Sequence, residues 1–586
     1  MSYLSRRARR MRVVLLATIL GAVFVVMTTS PADAHAIVER TEPGIDEVLA
    51  DSPESVTMYF SEPVELSFGA IHVFDTNAER VDVGEADHLP GRPDAVTVGL
   101  QPNLPDGTYT VDWHVVSADS HPIGEAFIFH VGHKGPQSQR VRDELQDDNG
   151  PSPAKVLLGL SRWLDLAGLL LLGGGLAFLL IVWRSVAGSG SLPEIVASGF
   201  NQRWRRLMTF GWWSVVVGTA LSLPLQAAVA GELSMGEAMG PTPIREVLST
   251  RFGKVALVRL GLLLAVAVVH AIGARRREGG SQWSRGETWV SAAFVVVLLA
   301  TPGLAGHPGT TSPVAVNVVV DLIHMLGAAA WVGGLVFLLK AAYPASDTGQ
   351  RERVSLLGPV VARFSDLAVL GVSAVVLSGT FAAYMQLRSW SALTGSAYGQ
   401  VLLAKIAVFL PLVALGGFNK NVVKPRIDRA VASGDDAGGL ATLRRIVSYE
   451  VTLAIVVVAL TAWLVSLAPG REAAAASEGP YQTTVTLGEG RLDVLVVPNR
   501  VGENEVHLTA VDDAGAPQKL DEMSALFRMS SEDIGPIVAR GRKLAPGHYV
   551  IQGHQLSVPG DWTIEVVART SRFEEERTTF PLTVRR

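Results

Sequence analysis

The chain has 586 residues, of which 48% are hydrophobic and only 18% are charged, and its mean hydropathy is +0.30. It is too apolar for one soluble domain and long enough for several, which predicts a membrane protein. The net charge of −5 offers no basic surface for nucleic acid, and the absence of cysteine excludes disulfides, thiolate metal sites and a cysteine nucleophile. A soft metal would have to bind through His, Met, carboxylate or a terminal amine.

The N-terminal segment is typical of an export signal. Five arginines between residues 6 and 12 precede the apolar run 13–27, and Ala32-Asp33-Ala34 supplies the small residues of a cleavage site. Residues 1–34 are therefore predicted to be a signal peptide, so that the mature chain begins at His35. The alternative is an uncleaved anchor helix, for which the apolar run is short.

Residues 35–133 are predicted to form an all-β sandwich. Short runs rich in β-branched and aromatic residues alternate there with turn formers, at 56–60, 70–74, 95–100, 108–117 and 126–131. Alternation along the run 108–117 puts four apolar residues on one face, which we expect to lie in the core: Tyr109, Val111, Trp113 and Val115. Residues 134–154 are polar and contain Pro and Gly, which is typical of a linker.

Long apolar runs dominate residues 155–469, and eight of them approach the roughly 20 residues that a hydrocarbon core requires. They lie at about 156–183, 207–230, 255–274, 288–305, 314–341, 361–386, 400–418 and 446–468. The sequence therefore predicts an eight-span helical membrane bundle.

The distribution of basic residues predicts the orientation of these spans. If the first sandwich is exported, the connections after spans one, three, five and seven face the cytoplasm; they hold eighteen Lys and Arg residues, against four in the other connections. This asymmetry follows the positive-inside rule. The protein is thus predicted to be a multi-pass protein of the inner or plasma membrane with both terminal domains outside the cytoplasm.

Residues 477–586 are predicted to form a second extracytoplasmic β-sandwich, because an even number of spans returns the chain to the outer side and strand-like runs follow. Its segments Gly547-His548-Tyr549 and Pro559-Gly560-Asp561-Trp562 resemble small extracytoplasmic domains of the YtkA type, which are often attached to copper membrane proteins. The sequence indicates no chemistry for this domain.

Three residues near the first sandwich form a candidate metal site. A mature N-terminal His35 would chelate a metal through its α-amine and its ring, and Asp119 and His121, two residues apart, would share one face of an extended segment. Three nitrogens and one oxygen suit Cu(II). Zn(II) also takes such ligands and stays open as an alternative.

The same region resembles the CopC family of copper-binding proteins over nearly all of residues 35–132. The matching motifs are His35-Ala36, Glu42-Pro43-Gly44, Phe60-Ser61-Glu62-Pro63-Val64, Gly107-Thr108-Tyr109, Trp113-His114-Val115-Val116-Ser117 and Asp119-Ser120-His121-Pro122. The resemblance implies that His35, Asp119 and His121 are the Cu(II) ligands and that Glu62 is a neighbouring carboxylate that orients them. Some members of the family have a Met-rich loop for Cu(I), but Met58 is the only Met of this domain, so no separate Cu(I) site is expected.

The remaining histidines of this domain have no partner at ligand spacing. We expect them to be solvated or hydrogen bonded rather than ligands: His72, His88, His114, His130 and His133.

Span five contains polar residues that are costly inside a bilayer and therefore suggest function. Asp321, His324 and Met325 recur at helical spacing in its outer half, and Trp331 follows. His307 in the preceding loop and Met385 near the outer end of span six are expected at the same level. The sequence predicts a transmembrane copper path along these residues. The alternative is that polar side chains only hold the helices together by hydrogen bonds: Asp321, His324, Lys405 and Glu450.

The spans also resemble the CopD family, which is associated with copper uptake across the inner membrane. The matching motifs are Asp321-Leu322-Ile323-His324, Trp331-Val332-Gly333-Gly334, Tyr398-Gly399-Gln400-Val401-Leu402-Leu403-Ala404-Lys405 and Asn419-Lys420.

Three functions are compatible with this organisation. The first is capture of Cu(II) outside the cell membrane followed by transport across it, in the inward direction. The second is extracytoplasmic copper sequestration or delivery in copper resistance or homeostasis, with the spans as an anchor. The third is an oxidative copper enzyme, which we do not expect because Asp119 would fill the site. The expected partners are copper, the lipid bilayer and extracytoplasmic copper donors or acceptors, and the oxidation state of copper in the membrane stays open.

Overall fold

We describe a computed structural model of the chain. The described residues are 38–45, 47–60, 63–66, 70–117, 122–133, 135, 153–188, 194–231, 233–275, 285–311, 313–342, 350–387, 389–433, 439–467, 469–470, 481–497, 499, 501–512, 517–571 and 574–584.

The N-terminal domain is a sandwich of two sheets, as predicted. One sheet has the strand order β1-β3-β7-β6, and the other has the order β2-β9-β8-β4 with β5 also paired to β8. The strands are β1 Val38–Glu42, β2 Val48–Leu49, β3 Ser55–Phe60, β4 Val64–Glu65, β5 Ile71–Phe74, β6 Asp82–Leu89, β7 Arg92–Leu100, β8 Gly107–Ser117 and β9 Pro122–Val131.

The predicted alternation along β8 is confirmed by the core of this sandwich. The four residues expected to face inward are all buried: Tyr109, Val111, Trp113 and Val115. The Trp113 ring meets Phe60 of the other sheet edge-on, with ring centroids 5.6 Å apart. Such a contact stabilises the two sheets against one another beyond the area it buries.

Among the described residues, eight helices are long and apolar enough to span a membrane, which agrees with the predicted number. Spans one to eight are Pro153–Ala187, Gly199–Ala230, Arg251–Gly273, Gly286–Ala305, Val314–Ala342, Arg353–Leu387, Ala397–Ala432 and Gly439–Leu464. Some helices exceed the apolar runs; span seven, for example, continues well beyond residue 418. Hydropathy marks only the part of a helix suited to hydrocarbon, whereas backbone hydrogen bonding continues through the polar residues that follow.

In the part of the chain that the structure describes, three short helices lie between the spans: Met235–Ala238, Pro241–Ser249 and Trp390–Gly395. Within the same ranges, four π-helical segments interrupt spans one, five and seven: Phe178–Trp183, Ala329–Gly333, Leu338–Ala342 and Asn419–Val423. Each π segment widens one turn and redirects the side chains around it, and such bulges are frequent at functional sites. The segment Ala329–Gly333 contains Trp331, the aromatic residue that follows the polar group of span five.

Small residues bring the spans close together. A Cβ atom added to Gly168 of span one would lie 2.7 Å from the carbonyl oxygen of Gly211 in span two, and one added to Gly174 would lie 2.5 Å from the carbonyl oxygen of Ala329 in span five. Any larger side chain would push these helices apart. Glycine at such positions allows the close backbone approach that drives helix association in lipid.

The C-terminal domain is a second two-sheet sandwich, as predicted, with orders β10-β11-β12-β16-β15 and β14-β13-β17-β18. Its strands are β10 Tyr481–Leu487, β11 Gly490–Val497, β12 Gly502–Val511, β13 Glu522–Met529, β14 Ile534–Arg540, β15 Arg542–Ala545, β16 His548–Leu556, β17 Gly560–Arg569 and β18 Glu575–Val584. Trp562 and Tyr549 are its largest fully buried side chains. The sequence pattern did not indicate β13, whose residues EMSALFRM have no strong β propensity; pairing with β14 and β17 decides its structure.

Candidate functional site

The four residues predicted to form the Cu(II) site, His35, Glu62, Asp119 and His121, lie outside the described residues. Residues close to them in the chain are described, and these residues form β-strand pairs. Three registered pairs flank the predicted ligands: Val38 with Phe60, Val64 with Ser117, and Val116 with Pro122. Each predicted residue is at most three positions from a member of these pairs, which is about 11 Å of extended chain. The first of these pairs lies in one sheet and the other two lie in the other sheet, so the Cu(II) site stays a prediction.

Three of the other histidines of this sandwich have hydrogen-bond or carboxylate partners. The buried His130 ring lies 2.9 Å from Thr108 Oγ1, and His88 Nδ1 lies 3.3 Å from the carbonyl oxygen of Ala95. The His72 ring lies 3.8 Å from Asp82. Burial is the main reason that the pKa of His72 lies below its usual value, with nearby Arg80 acting in the same direction.

Asp321 and His324 of span five contact different neighbouring helices. His324 Nδ1 lies 3.0 Å from the hydroxyl of Ser378 in span six. Asp321 packs against span four, where a Cβ on Gly303 would lie 2.5 Å from Asp321 Oδ2. That oxygen is buried and has no hydrogen-bond partner among the described residues. Lys405 of span seven interacts electrostatically with both Asp321 and His324.

The two methionines predicted on the path are both buried in apolar surroundings. Met325 belongs to the large core of the bundle. Met385 packs with Phe381 of span six against Val316 and Val320 of span five. Met385 therefore contacts the turns of span five that precede His324. Met385 thus lies beside the N-terminal turns of span five, and its level in the membrane stays a prediction.

His307 lies in the short 3₁₀ turn His307–Gly309 between spans four and five. It is buried, and its carbonyl oxygen accepts a hydrogen bond from the Thr310 amide. Among the residues that the structure describes, no three His, Asp or Glu side chains converge as a ready set of metal ligands.

Sequence analysis missed a polar network that joins spans one to four. Asp165 Oδ2 of span one lies 2.6 Å from the guanidinium of Arg259 in span three, and Thr219 of span two donates a hydrogen bond to Asp165 Oδ1 at 2.9 Å. The Arg259 Nε–H donates to Thr301 of span four at 2.9 Å. The sequence did contain a sign of this network, because one predicted span holds an acidic residue and another holds a basic one. Hydropathy alone does not show that the two residues are in contact.

A further buried carboxylate, that of Glu450, lies near the middle of span eight. Glu450 is 1% exposed, and the side-chain amide of Asn419 donates a hydrogen bond to it at 3.1 Å. Both residues line a cavity of about 220 Å³ whose walls include Trp331, Lys420 and Gly416. Glu450 therefore bonds to a neighbouring span, as the helix-linking interpretation expects.

Comparisons with known proteins agree with this architecture. The CopC domain model matches residues 38–132, the model of the copper resistance protein D-like N-terminal domain matches residues 153–312, and the model of copper resistance protein D matches residues 358–464. The N-terminal sandwich belongs to the CopC family, and the membrane bundle matches the models of the copper resistance protein D domains. The two families are fused here in one polypeptide, as the sequence motifs indicated.

Individual relatives cover the chain to different extents. Copper transport protein CutJ of Bacillus subtilis is 27% identical over 566 residues, which are 94% of this chain and 96% of CutJ. Copper resistance protein D of Pseudomonas syringae is 28% identical over 44% of this chain and 81% of its own length. Protein YobA of Escherichia coli is 31% identical over 18% of this chain and 85% of its own length. The likeness of the C-terminal sandwich to YtkA-type domains stays a prediction.

Proposed function

We propose that this protein captures Cu(II) outside the cytoplasm with its N-terminal sandwich and moves copper inward across the cell membrane through its spans. The fusion of a CopC domain to the CopD membrane domains is the observation that supports this function best. A capture domain covalently attached to a membrane bundle raises the local copper concentration at the bundle. CutJ, which is similar over almost its entire length, is named as a copper transport protein.

In this proposal, His35, Asp119 and His121 bind Cu(II), and Glu62 orients them. Three nitrogens and one oxygen are the donors that Cu(II) prefers, and the filled site suits binding rather than redox turnover, so we propose a transporter and not an enzyme. Mass spectrometry of the mature protein should find His35 at the N-terminus. One added residue before His35 should then change the Cu(II) EPR spectrum and weaken binding, and an unchanged spectrum would contradict the assignment.

Within the membrane, we propose that His324 and Met325 receive copper, with Asp321 supporting them and His307 and Met385 near the entrance. A cation leaving water needs donors along its path, and His and Met offer them without adding charge. The bond of His324 Nδ1 to the neutral hydroxyl of Ser378 supports a ligand role, because a ligand must be able to exchange its partner.

The test is uptake of labelled copper into cells, normalised to the amount of folded protein in the membrane. The double variant His324→Ala, Met325→Ala should lose uptake at normal abundance, whereas a purely structural role predicts lower abundance. The matched control is His270→Ala, Met239→Ala, which removes one His and one Met away from this path; Met239 is 65% exposed. Undiminished uptake in the first variant would leave the spans as an anchor.

Copper sequestration or delivery outside the cytoplasm is the second candidate function. It is favoured by the description of two similar families and one relative as copper resistance proteins. Deleting the gene separates the two functions, because loss of an importer lowers cellular copper whereas loss of a sequestering protein raises it.

A further inference from the structure

The C-terminal sandwich contains two buried histidines that do not belong to its core. His507 on β12 and His548 on β16 are 5% and 1% exposed. Their chain neighbours Leu508 and Tyr549 face the apolar core between the two sheets. Successive side chains along a strand point to opposite faces, so both histidines lie on the outer face of their sheet. Another part of the molecule must cover that face.

The N-terminal sandwich covers it. The two β-sandwiches belong to one compact unit, and β15 contacts β2. A Cβ atom on Gly44 would lie 3.0 Å from Cε1 of His507. A cleft of about 400 Å³ lies between the sandwiches, with Glu47 on one wall and Glu505 and His507 on the other. His507 is thus buried at the junction of the two domains and lines a polar cleft, and His548 is buried beside it.

The two rings present nitrogen atoms to one another. His507 Nδ1 lies 3.2 Å from His548 Nε2. Two nitrogens that bind one metal at about 2.0–2.1 Å in a tetrahedral arrangement lie about 3.3 Å apart. The observed separation therefore allows both rings to bind a single ion with little movement of β12 or β16, which are adjacent antiparallel strands.

The carboxylate of Glu505 lies close to the His507 ring. Glu505 Oε2 lies 3.5 Å from His507 Nε2, the ring nitrogen that faces away from His548. Metal-binding histidines commonly donate their second ring N–H to a carboxylate, which fixes the tautomer and makes the ligand more basic. With the proton on Nε2, the Nδ1 lone pair of His507 points toward His548.

We propose that His507 and His548 bind one late first-row transition-metal ion, copper in preference to zinc, with Glu505 orienting His507 and water from the cleft completing the coordination. Imidazole nitrogen suits both metals, and Cu(II) has the highest affinity in the divalent series. The site would give the C-terminal domain a copper-binding role next to the N-terminal sandwich. This inference does not depend on whether the spans transport copper.

The test is the copper stoichiometry of the full-length protein in detergent. The parent carries His121→Ala to disable the predicted N-terminal site, and Cu(II) is added by equilibrium dialysis. His507→Gln and His548→Gln should each lose one bound equivalent together with its imidazole signal in EPR. The matched control is His554→Gln, which removes an exposed histidine of the same strand and should lose nothing.

Because the histidines are buried, their variants are first checked for folding by thermal unfolding. Glu505→Gln keeps both ligands and should weaken Cu(II) binding about 10–100-fold. If the pair forms only an N–H···N hydrogen bond between strands, His507→Gln lowers stability and leaves the stoichiometry unchanged, which overturns the proposal. If both histidine variants fail to fold, an unchanged affinity in Glu505→Gln overturns it instead.

Discussion

Two polar clusters in the membrane bundle differ in how completely their buried groups are paired. In the first, spans one to four contribute Asp165, Thr219, Arg259 and Thr301, and both carboxylate oxygens of Asp165 have partners. In the second, Asp321 of span five has one buried oxygen without a hydrogen-bond partner among the described residues, and the His324 ring bonds through Nδ1 to the Ser378 hydroxyl. Lys405 of span seven interacts electrostatically with both residues.

The difference distinguishes buried polar side chains that hold the helices together from buried polar side chains that are available for function. A buried ion pair whose remaining atoms are satisfied holds helices in one arrangement, and removing either partner leaves a charge in an apolar medium. A buried oxygen without a hydrogen bond does not stabilise the fold, so its presence in the protein calls for another explanation, such as function. We therefore interpret the Asp165 cluster as the fixed frame of the bundle and the Asp321 cluster as the part that exchanges partners.

The largest expected effect is that of Asp165→Asn. This change keeps the shape of the side chain but leaves Arg259 as an uncompensated buried charge, so the folded state should lose about 3–5 kcal/mol. Thermal denaturation of the detergent-solubilised protein, followed by size-exclusion chromatography, measures the loss. The double variant Asp165→Leu, Arg259→Leu should recover most of it, since it removes both charges. A single variant as stable as the native protein would show that the network is not the frame.

An intermediate effect is expected for a paired carboxylate outside the membrane, Asp82 of the N-terminal sandwich. It accepts hydrogen bonds from Arg80 Nε at 2.8 and 2.9 Å and from the Val73 amide at 2.9 Å. Burial alone would raise the pKa of Asp82, but these bonds outweigh it and hold the pKa below its usual value. Asp82→Asn should therefore cost about 1.5–3 kcal/mol, the usual contribution of hydrogen bonds to a charged group.

The same carboxylate gives a pH dependence with a defined sign. Because the folded pKa of Asp82 is depressed, its stabilisation is present above the unfolded value near ~3.9 and is lost as the pH falls through the folded value. Hydrogen exchange of the full chain should show lower protection of β5 and β6 in acid than at neutral pH. The Asn variant should lose part of this pH dependence, and an identical profile in both proteins would assign the effect to other groups.

The smallest effect on stability is expected for Asp321→Asn, the exact counterpart of the first substitution in a different environment. The buried oxygen has no hydrogen bond to lose, although the electrostatic interaction with Lys405 is weakened, so the change should cost about 1 kcal/mol. The same thermal measurement compares it directly with Asp165→Asn. Under the proposed function, copper uptake should nevertheless fall. A loss of stability as large as that of Asp165→Asn would remove the distinction between the two clusters.

The sequence by itself determined the domains of this protein, their order and the number of spans. Eight spans, two sandwiches and the inward face of β8 follow from hydropathy and from alternation, which are local properties of the chain. The CopC and CopD motifs are likewise contiguous, and the matches to those families agree with them.

Only the tertiary structure decided which distant polar groups meet. Asp165 and Arg259 are 94 positions apart, and His507 and His548 are 41 apart, so no local pattern joins either pair. The burial of the two histidines was also beyond prediction, because alternation puts them on an outer face that another domain covers. Pairing of this kind depends on how helices and sheets pack, and packing is a property of surfaces assembled from separate parts of the chain.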